Sequence, residues 1–254
     1  MHTAPFDSSN LMEKTVIFLD FDGVICDSLN ECLVSSWIAY YRYYKKNEPA
    51  YIDMNLRKSF LRYRPFITHG EDYVLIQKLI NEKIIIRNNE EFDLERKKIG
   101  IEIMALFKDL FYRARDYLIS EDFNYWLNLN RIFPFLYKPF YRASRKSNIH
   151  ILSTKREKYI RATLEYHGIR MNPEQIHYSS GKEKLKIISR FLDNDSYSRA
   201  IFIDDQIDNL KDNRDGRIEP LLALWGFIDR SWLSEYPSVG RLDEKGLIEL
   251  LEIA

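Results

Sequence analysis

Four short runs rich in branched residues carry no polar alternation: Thr15 to Leu19, Ile149 to Leu152, Ala200 to Ile203 and Leu221 to Leu224. A strand with one wet face alternates apolar and polar side chains, so these runs predict strands covered on both faces, as in a parallel sheet. Helical patterns separate the last three. Glu157 to His167 places Tyr159, Ile160, Thr163, Leu164 and His167 at helical spacing and stops at Gly168. Lys184 to Leu192 aligns Leu185, Ile188 and Leu192 on one face, behind Ser179, Ser180 and Gly181. Strands alternating with helices of this length predict right-handed crossovers and a doubly wound α/β domain.

Between residues 29 and 133 the texture changes. Cys32 to Tyr44, Tyr73 to Asn81, Leu94 to Ile119 and Phe123 to Leu129 show helical spacing, with Ile99, Ile103, Leu106, Leu110 and Ala114 forming one stripe. Breaks near Asn47 to Pro49, Arg64 to Gly70 and Asn88 to Glu91 divide this stretch into several helices. A chain of 254 residues exceeds the usual single-domain size. It is read as a catalytic core, residues 1–28 and 134–254, interrupted after the first strand by an all-α insertion, residues 29–133.

Composition narrows the partners. Lys plus Arg equals Asp plus Glu at 38 each, so no overall field draws the chain to nucleic acid or to an anionic membrane. A small molecule is the expected partner; oligomeric state leaves no mark. The two cysteines, Cys26 and Cys32, fit neither a disulfide framework nor a paired metal-ligand pattern, which suits a reducing compartment. The first 14 residues lack the basic start and apolar run of a secretory signal, and no stretch reaches the roughly 20 apolar residues of a bilayer span. The expectation is a soluble cytoplasmic protein.

The strand ends carry the chemistry. The first run leads into Asp20-Phe21-Asp22-Gly23, and Gly23 lets the chain turn sharply away. The third leads into Asp204-Asp205, with Asn209 following, and the second into Ser153-Thr154, with Lys184 a loop later. Ligands of open α/β sheets bind at the carboxyl ends of strands. Four acids gathered there repel one another unless a cation sits between them, and clustered oxygen ligands select a hard ion such as Mg²⁺. Each feature alone is common; their order and their shared place at strand ends give them weight.

Taken together, Phe18 to Ser28, Ile151-Leu152-Ser153-Thr154-Lys155, Lys184, and Ile201 to Asn209 resemble the four ordered motifs of the haloacid dehalogenase superfamily. Leu224-Trp225-Gly226-Phe227 is similar to the strand after the last motif in phosphoglycolate-phosphatase-like members. The resemblance covers both core segments, while the insertion matches only by position, as a helical cap. It implies a Rossmann-like core, Mg²⁺ as cofactor, and a phosphatase acting on a small phosphorylated metabolite. Carried over, it makes Asp20 the nucleophile that forms an aspartyl-phosphate. Asp22 becomes the general acid and base, with its carbonyl on the metal. Ser153 becomes a donor to a phosphoryl oxygen, joined by Thr154 and the Gly23 backbone. Lys184 neutralises charge, Asp205 ligates the metal, and Asp204 and Asn209 support it.

Some choices stay open. Lys182, Lys184 and Lys186 all lie at one helix start, and Lys184 suits the packing of Ile187, Ile188 and Phe191 best. Asn209 stands four beyond Asp205 and Asp208 four beyond Asp204, so either acid could be the main ligand. A lid is expected of the insertion. Arg64 and His69, in the break from Arg62 to Asp72, are its candidate substrate-facing residues, although they also suit helix capping beside Glu71 or Asp72. Trp37, Tyr40, Tyr41, Tyr43 and Tyr44 fit packing better than base stacking. His150, His167 and His177 receive no chemistry. A phosphomutase using the same intermediate, or a binding protein on the same scaffold, are the competing functions.

Overall fold

The computed structural model describes residues 15–180 and 183–254. The first 14 residues, Gly181 and Lys182 lie outside them. The chain divides into two compact units: Asp27–Arg131 forms one, and the segments before and after it form the other. It leaves the core unit through β1 (Thr15–Leu19) and β2 (Cys26–Asp27).

Between its two end residues, which belong to strands, the insertion unit's regular structure is helical. It contains α1 (Leu29–Trp37), α2 (Met54–Tyr63), α3 (Gly70–Asn81), α4 (Asn89–Ile99), α5 (Ile101–Glu121) and α6 (Phe123–Asn128). Three details depart from the periodicity. First, α1 continues over Ile38–Tyr44 as a π-helix, and Trp37 and Tyr40 are buried there. Second, α2 offers almost no apolar face, burying only Phe60 and Tyr63, and is announced instead by Asp53, which accepts the Asn55 N–H. Third, the stretch read as one helix from Leu94 to Ile119 is two, because Gly100 sits at φ +84°, a left-handed conformation that glycine adopts without strain. The buried face of α5 is Met104, Phe107, Leu110, Phe111, Ala114, Arg115 and Leu118, so Leu106 of the expected stripe is 40% exposed.

Aromatic rings fill this unit's core, with Tyr73 stacked on Phe111 at 5.3 Å and on Phe60 at 5.9 Å. One ion pair is buried among them: the Arg115 guanidinium grips the Glu31 carboxylate through two 2.8 Å contacts, and Ser35 Oγ donates to the same carboxylate at 2.7 Å.

The chain re-enters the core unit through β3 (Arg131–Ile132), and the Phe133 N–H donates to the Ile25 carbonyl beside the exit point. There follow α7 (Tyr137–Ala143), β4 (Ile149–Ser153), α8 (Glu157–Tyr166), β5 (Ile176–Tyr178), α9 (Lys184–Asn194), β6 (Arg199–Asp204), β7 (Ile218–Ala223), α10 (Trp232–Glu235), β8 (Gly240–Leu242) and α11 (Glu244–Ile253). Six strands form one parallel sheet in the order β5-β4-β1-β6-β7-β8. The four apolar runs supply its four inner strands. The edge strands β5 and β8 have three residues each, too short for a hydrophobic pattern to declare them.

Alternate residues of β1 feed opposite faces. Ile17 and Leu19 join Phe140, Ile160, Leu164, Leu247 and Leu251 on one side, and Val16 and Phe18 join Ile188, Leu192 and Trp232 on the other. Both faces are dry, which is why the strand shows no polar alternation.

His150 and His177 sit side by side on β4 and β5, Nδ1 of the first 2.8 Å from Nε2 of the second, between Phe18 and Phe191. His150 Nε2 lies 3.0 Å from the Ser147 carbonyl and therefore donates, so its Nδ1 accepts and His177 Nε2 carries the proton. Burial, reinforced by His177, lowers the His150 pKa to about 4 against the opposing Ser147 carbonyl and Asp195. Burial also lowers that of His177.

Candidate active site

The sheet order reverses direction between β1 and β6, the topological switch point where open α/β sheets leave a crevice beyond their strand ends. Asp20 follows β1 there, its N–H donating to the Ile203 carbonyl at 2.9 Å. Asp204 ends β6 and Asp205 follows it. Oxygens of these three buried carboxylates lie within 4.8 Å of one another, the one such acidic cluster among the described residues.

Lys184, at the start of α9 and 2% exposed, sits between two of them: its Nζ is 3.0 Å from Asp20 Oδ1 and 2.8 Å from Asp204 Oδ2. Of the three lysines at that helix start, Lys186 instead pairs with Glu183 at the surface, and Lys182 lies outside the described residues. Burial works against the Lys184 charge, but Asp20 and Asp204 outweigh it and hold the pKa above the ordinary lysine value. Burial raises the Asp20 pKa to about 6; Lys184 opposes that rise, and Asp204 and Asp22 add to it.

The two acids after β6 differ in how they are held. Asp204 accepts from the Gln206 N–H on Oδ1 at 2.8 Å, and from Lys184 and Asn209 Nδ2 on Oδ2 at 2.8 and 2.9 Å. Asn209 thus serves Asp204, and Asp208 turns to Lys211, so neither fourfold spacing describes the pairing. Asp205 accepts the Phe227 N–H on Oδ2 at 3.0 Å. Its side chain is walled in by glycines: a Cβ on Gly23, at φ +87°, would stand 2.0 Å from Asp205 Oδ2, and one on Gly226 would stand 2.4 Å from Asp205 Cβ.

Three buried carboxylates with oxygens this close together, gathered around a single lysine ammonium, are a donor set that fits a hard divalent cation. Asp20 and Asp205 would hold it, with Asp204 fixed behind them by its three donors.

The loop after β1 is tight. The Phe21 carbonyl accepts from the Ile25 and Cys26 N–H groups, and the Gly23 N–H donates to the Cys26 carbonyl. Asp22 lies on this loop with a lysine of its own: Lys155, two residues beyond β4 and 4% exposed, puts Nζ 3.0 Å from Asp22 Oδ1. Lys155 closes the motif Ile151-Leu152-Ser153-Thr154-Lys155, and its place just past a buried strand's polar end is the one sequence signal that marks it. Ser153 is buried at the end of β4, its Oγ accepting from the Lys155 N–H at 3.3 Å, and Thr154 beside it is half-buried.

Arg64 and His69 belong to the insertion unit. Arg64 is 4% exposed, its guanidinium 5.5 Å from the Tyr73 ring centre. His69 precedes α3, where Asp72 Oδ2 accepts its N–H at 2.9 Å, and Thr68 Oγ1 lies 2.8 Å from its Nδ1. Arg96, not Arg64, binds Asp72, through contacts of 2.9 and 3.0 Å.

No protein-family model and no curated protein matches the chain. Solved structures do. A haloacid dehalogenase-like family hydrolase from Streptococcus pneumoniae superposes over 95% of this chain and 98% of its own, with a TM-score of 0.55 at 16% identity. A predicted phosphoglycolate phosphatase from Haemophilus somnus does so over 92% and 96%, with a TM-score of 0.59 at 11% identity. The fold is that of the haloacid dehalogenase-like hydrolases. Protein tyrosine kinase A of Mycobacterium tuberculosis shares it too, over 94% and 99% with a TM-score of 0.54 at 14% identity, so the haloacid dehalogenase-like fold does not by itself decide the reaction. No described helix is long and apolar enough to cross a membrane.

Proposed function

We propose that this chain is a Mg²⁺-dependent phosphatase that hydrolyses a small phosphorylated metabolite through an aspartyl-phosphate on Asp20. The observation that carries the reading is the buried cluster of Asp20, Asp204 and Asp205 with Lys184 at the switch point of the sheet. A phosphoryl group in transfer spreads negative charge over its equatorial oxygens, and catalysis is mostly positioning and cationic stabilisation. The haloacid dehalogenase-like neighbours described as phosphatases point the same way.

In this reading Asp20 Oδ attacks phosphorus as the bond to the substrate oxygen breaks, and Asp22 gives that oxygen its proton. Water then attacks the aspartyl-phosphate, returns a proton to Asp22, and the phosphorus bond to Asp20 breaks to release inorganic phosphate. Ser153, Thr154 and the Gly23 backbone are assigned to the phosphoryl oxygens, and Lys184 to the charge shared between nucleophile and phosphate. Mg²⁺, held by Asp20, Asp205 and the Asp22 carbonyl, would supply the rest of the charge neutralisation. We assign substrate selection to the insertion unit, with Arg64 and His69 the first residues to replace; an Arg64→Ala variant that changes every ester equally removes Arg64 from that role.

Uncatalysed phosphate monoesters react so slowly that enzymes reach accelerations of roughly 10²¹-fold, so the site must supply more than roughly 20 kcal/mol. Loss of the nucleophile is therefore expected to be nearly complete. The experiment is phosphate release from an aryl phosphate and a panel of sugar phosphates, nucleotides and phospho-acids, with Mg²⁺ or chelator, for wild type and Asp20→Asn. Release that needs both Mg²⁺ and Asp20 supports the reading; equal release, or equal inertness, from both proteins overturns it.

A further inference from the structure

We infer that Lys155 is a positioning residue for Asp22, fixing the carboxylate that carries the proton in both halves of the reaction; this rests on the phosphatase reading. The backbone around Asp22 is fixed by the three hydrogen bonds of its loop, but these leave the side chain free to rotate. Asp22 is the more exposed of the two motif acids, with 19% of its side chain accessible against 9% for Asp20. What reaches it is Lys155, whose side chain is 1% exposed and whose Nζ lies 3.0 Å from Asp22 Oδ1 and 5.5 Å from the centre of the Phe21 ring.

The two acids of Asp-x-Asp are therefore held by different lysines from different elements: Asp20 by Lys184 of α9, Asp22 by Lys155 behind β4. The division has a chemical reason. Lys184 faces the acid that must stay a nucleophile. Lys155 faces the acid that must give up a proton and later take one back without moving, and a buried ammonium on an otherwise rigid strand end holds one oxygen of that carboxylate while the other works. Direct contact of Lys155 with substrate is not needed.

The test exploits the leaving group. A nitrophenolate departs without a proton, whereas an alkyl alkoxide needs one from Asp22, and kcat/KM reports only the steps up to that departure. Compare wild type, Lys155→Met and Lys155→Arg on a nitrophenyl phosphate and on the best alkyl phosphate. General acid catalysis contributes about 10²–10⁴-fold, so a misplaced Asp22 should lower kcat/KM for the alkyl ester by about 10-fold or more and for the aryl ester by less than about 3-fold. Lys155→Arg, which keeps the cation, should restore part of the difference. A crystal structure of Lys155→Met should show the Asp22 carboxylate displaced or in several rotamers. Equal loss on both esters, or an Asp22 carboxylate unmoved in Lys155→Met, overturns the inference. Failure of the phosphatase reading looks different, because wild type itself would then lack Mg²⁺- and Asp20-dependent release.

Discussion

Gly226→Ala is the smallest change expected to damage this site without replacing a charged residue. The added methyl carbon would lie 2.4 Å from Asp205 Cβ, 2.8 Å from the Gly23 carbonyl oxygen and 3.3 Å from the Ala223 carbonyl oxygen. Carbon atoms in contact sit about 3.5–4.0 Å apart, so the loop after β7 must withdraw from Asp205 by about 1 Å. None of the three neighbours can swing away: one is a buried side-chain stem and two are backbone carbonyls. Overpacking of this kind costs about 1–3 kcal/mol of stability. Displacement by 1 Å of a group that positions the reaction costs about 10²-fold in rate. The assays are urea unfolding, phosphate release from an aryl phosphate, and the Mg²⁺ concentration that gives half-maximal release. The expected result is a weaker response to Mg²⁺, because the Phe227 N–H that holds Asp205 moves with Gly226. Gly216, where an added Cβ meets nothing within 4 Å, is the control, and Gly216→Ala should change stability by less than about 0.5 kcal/mol. Stability within about 0.5 kcal/mol of wild type and an unchanged Mg²⁺ response in Gly226→Ala would refute the claim that glycine packing fixes Asp205.

Three further outcomes are expected. His150 titrates near 6.5 when unfolded and near 4 in the fold, so below pH 6.5 the unfolded chain takes up a proton that the folded chain resists; stability falls as pH drops from 6.5 to 4, by up to about 3 kcal/mol. Urea midpoints of wild type should therefore fall more steeply over that window than those of His150→Leu, and parallel curves would contradict this origin. Replacing Arg115 by Met leaves the Glu31 charge inside the insertion unit without its guanidinium and should lower stability by about 3–5 kcal/mol, while Glu31→Met with Arg115→Met should lose markedly less. Gly100→Ala forces a Cβ into a positive-φ, extended-ψ backbone position that is essentially glycine's own and should cost about 1–3 kcal/mol in thermal unfolding although the methyl meets no described neighbour.

The central sheet was legible because its strands are buried on both faces, and their apolar runs therefore end abruptly at the acids they present. Asp20, Asp204, Asp205 and Lys184 could be gathered from sequence because each sits at the end or start of such an element. Other features carry no comparable mark. Strands of three residues, such as β5 and β8, have no room for a pattern. A left-handed glycine such as Gly100 looks like any tolerated helix glycine until its φ is known. The pairing of Lys155 with Asp22 and of His150 with His177 depends on strand register across the sheet, which one sequence does not reveal. At the start of α3, Thr68, His69 and Arg96 converge on Asp72, and that convergence depends on helix packing rather than on spacing along the chain.

The position of β1 in the sheet has a consequence in time. Its two neighbours, β4 and β6, begin at Ile149 and Arg199, so Asp20 is made early and finds its partners late. At about 5–20 residues per second of synthesis, roughly 10–40 seconds separate the emergence of β1 from that of β6. The whole of Asp27–Arg131, a compact unit of its own, emerges within that interval and can form first. During the wait β1 is a bare apolar strand with two open edges, the part of a nascent chain most prone to pair wrongly. Chaperone engagement on a stalled ribosome should therefore persist until β6 has cleared the exit tunnel.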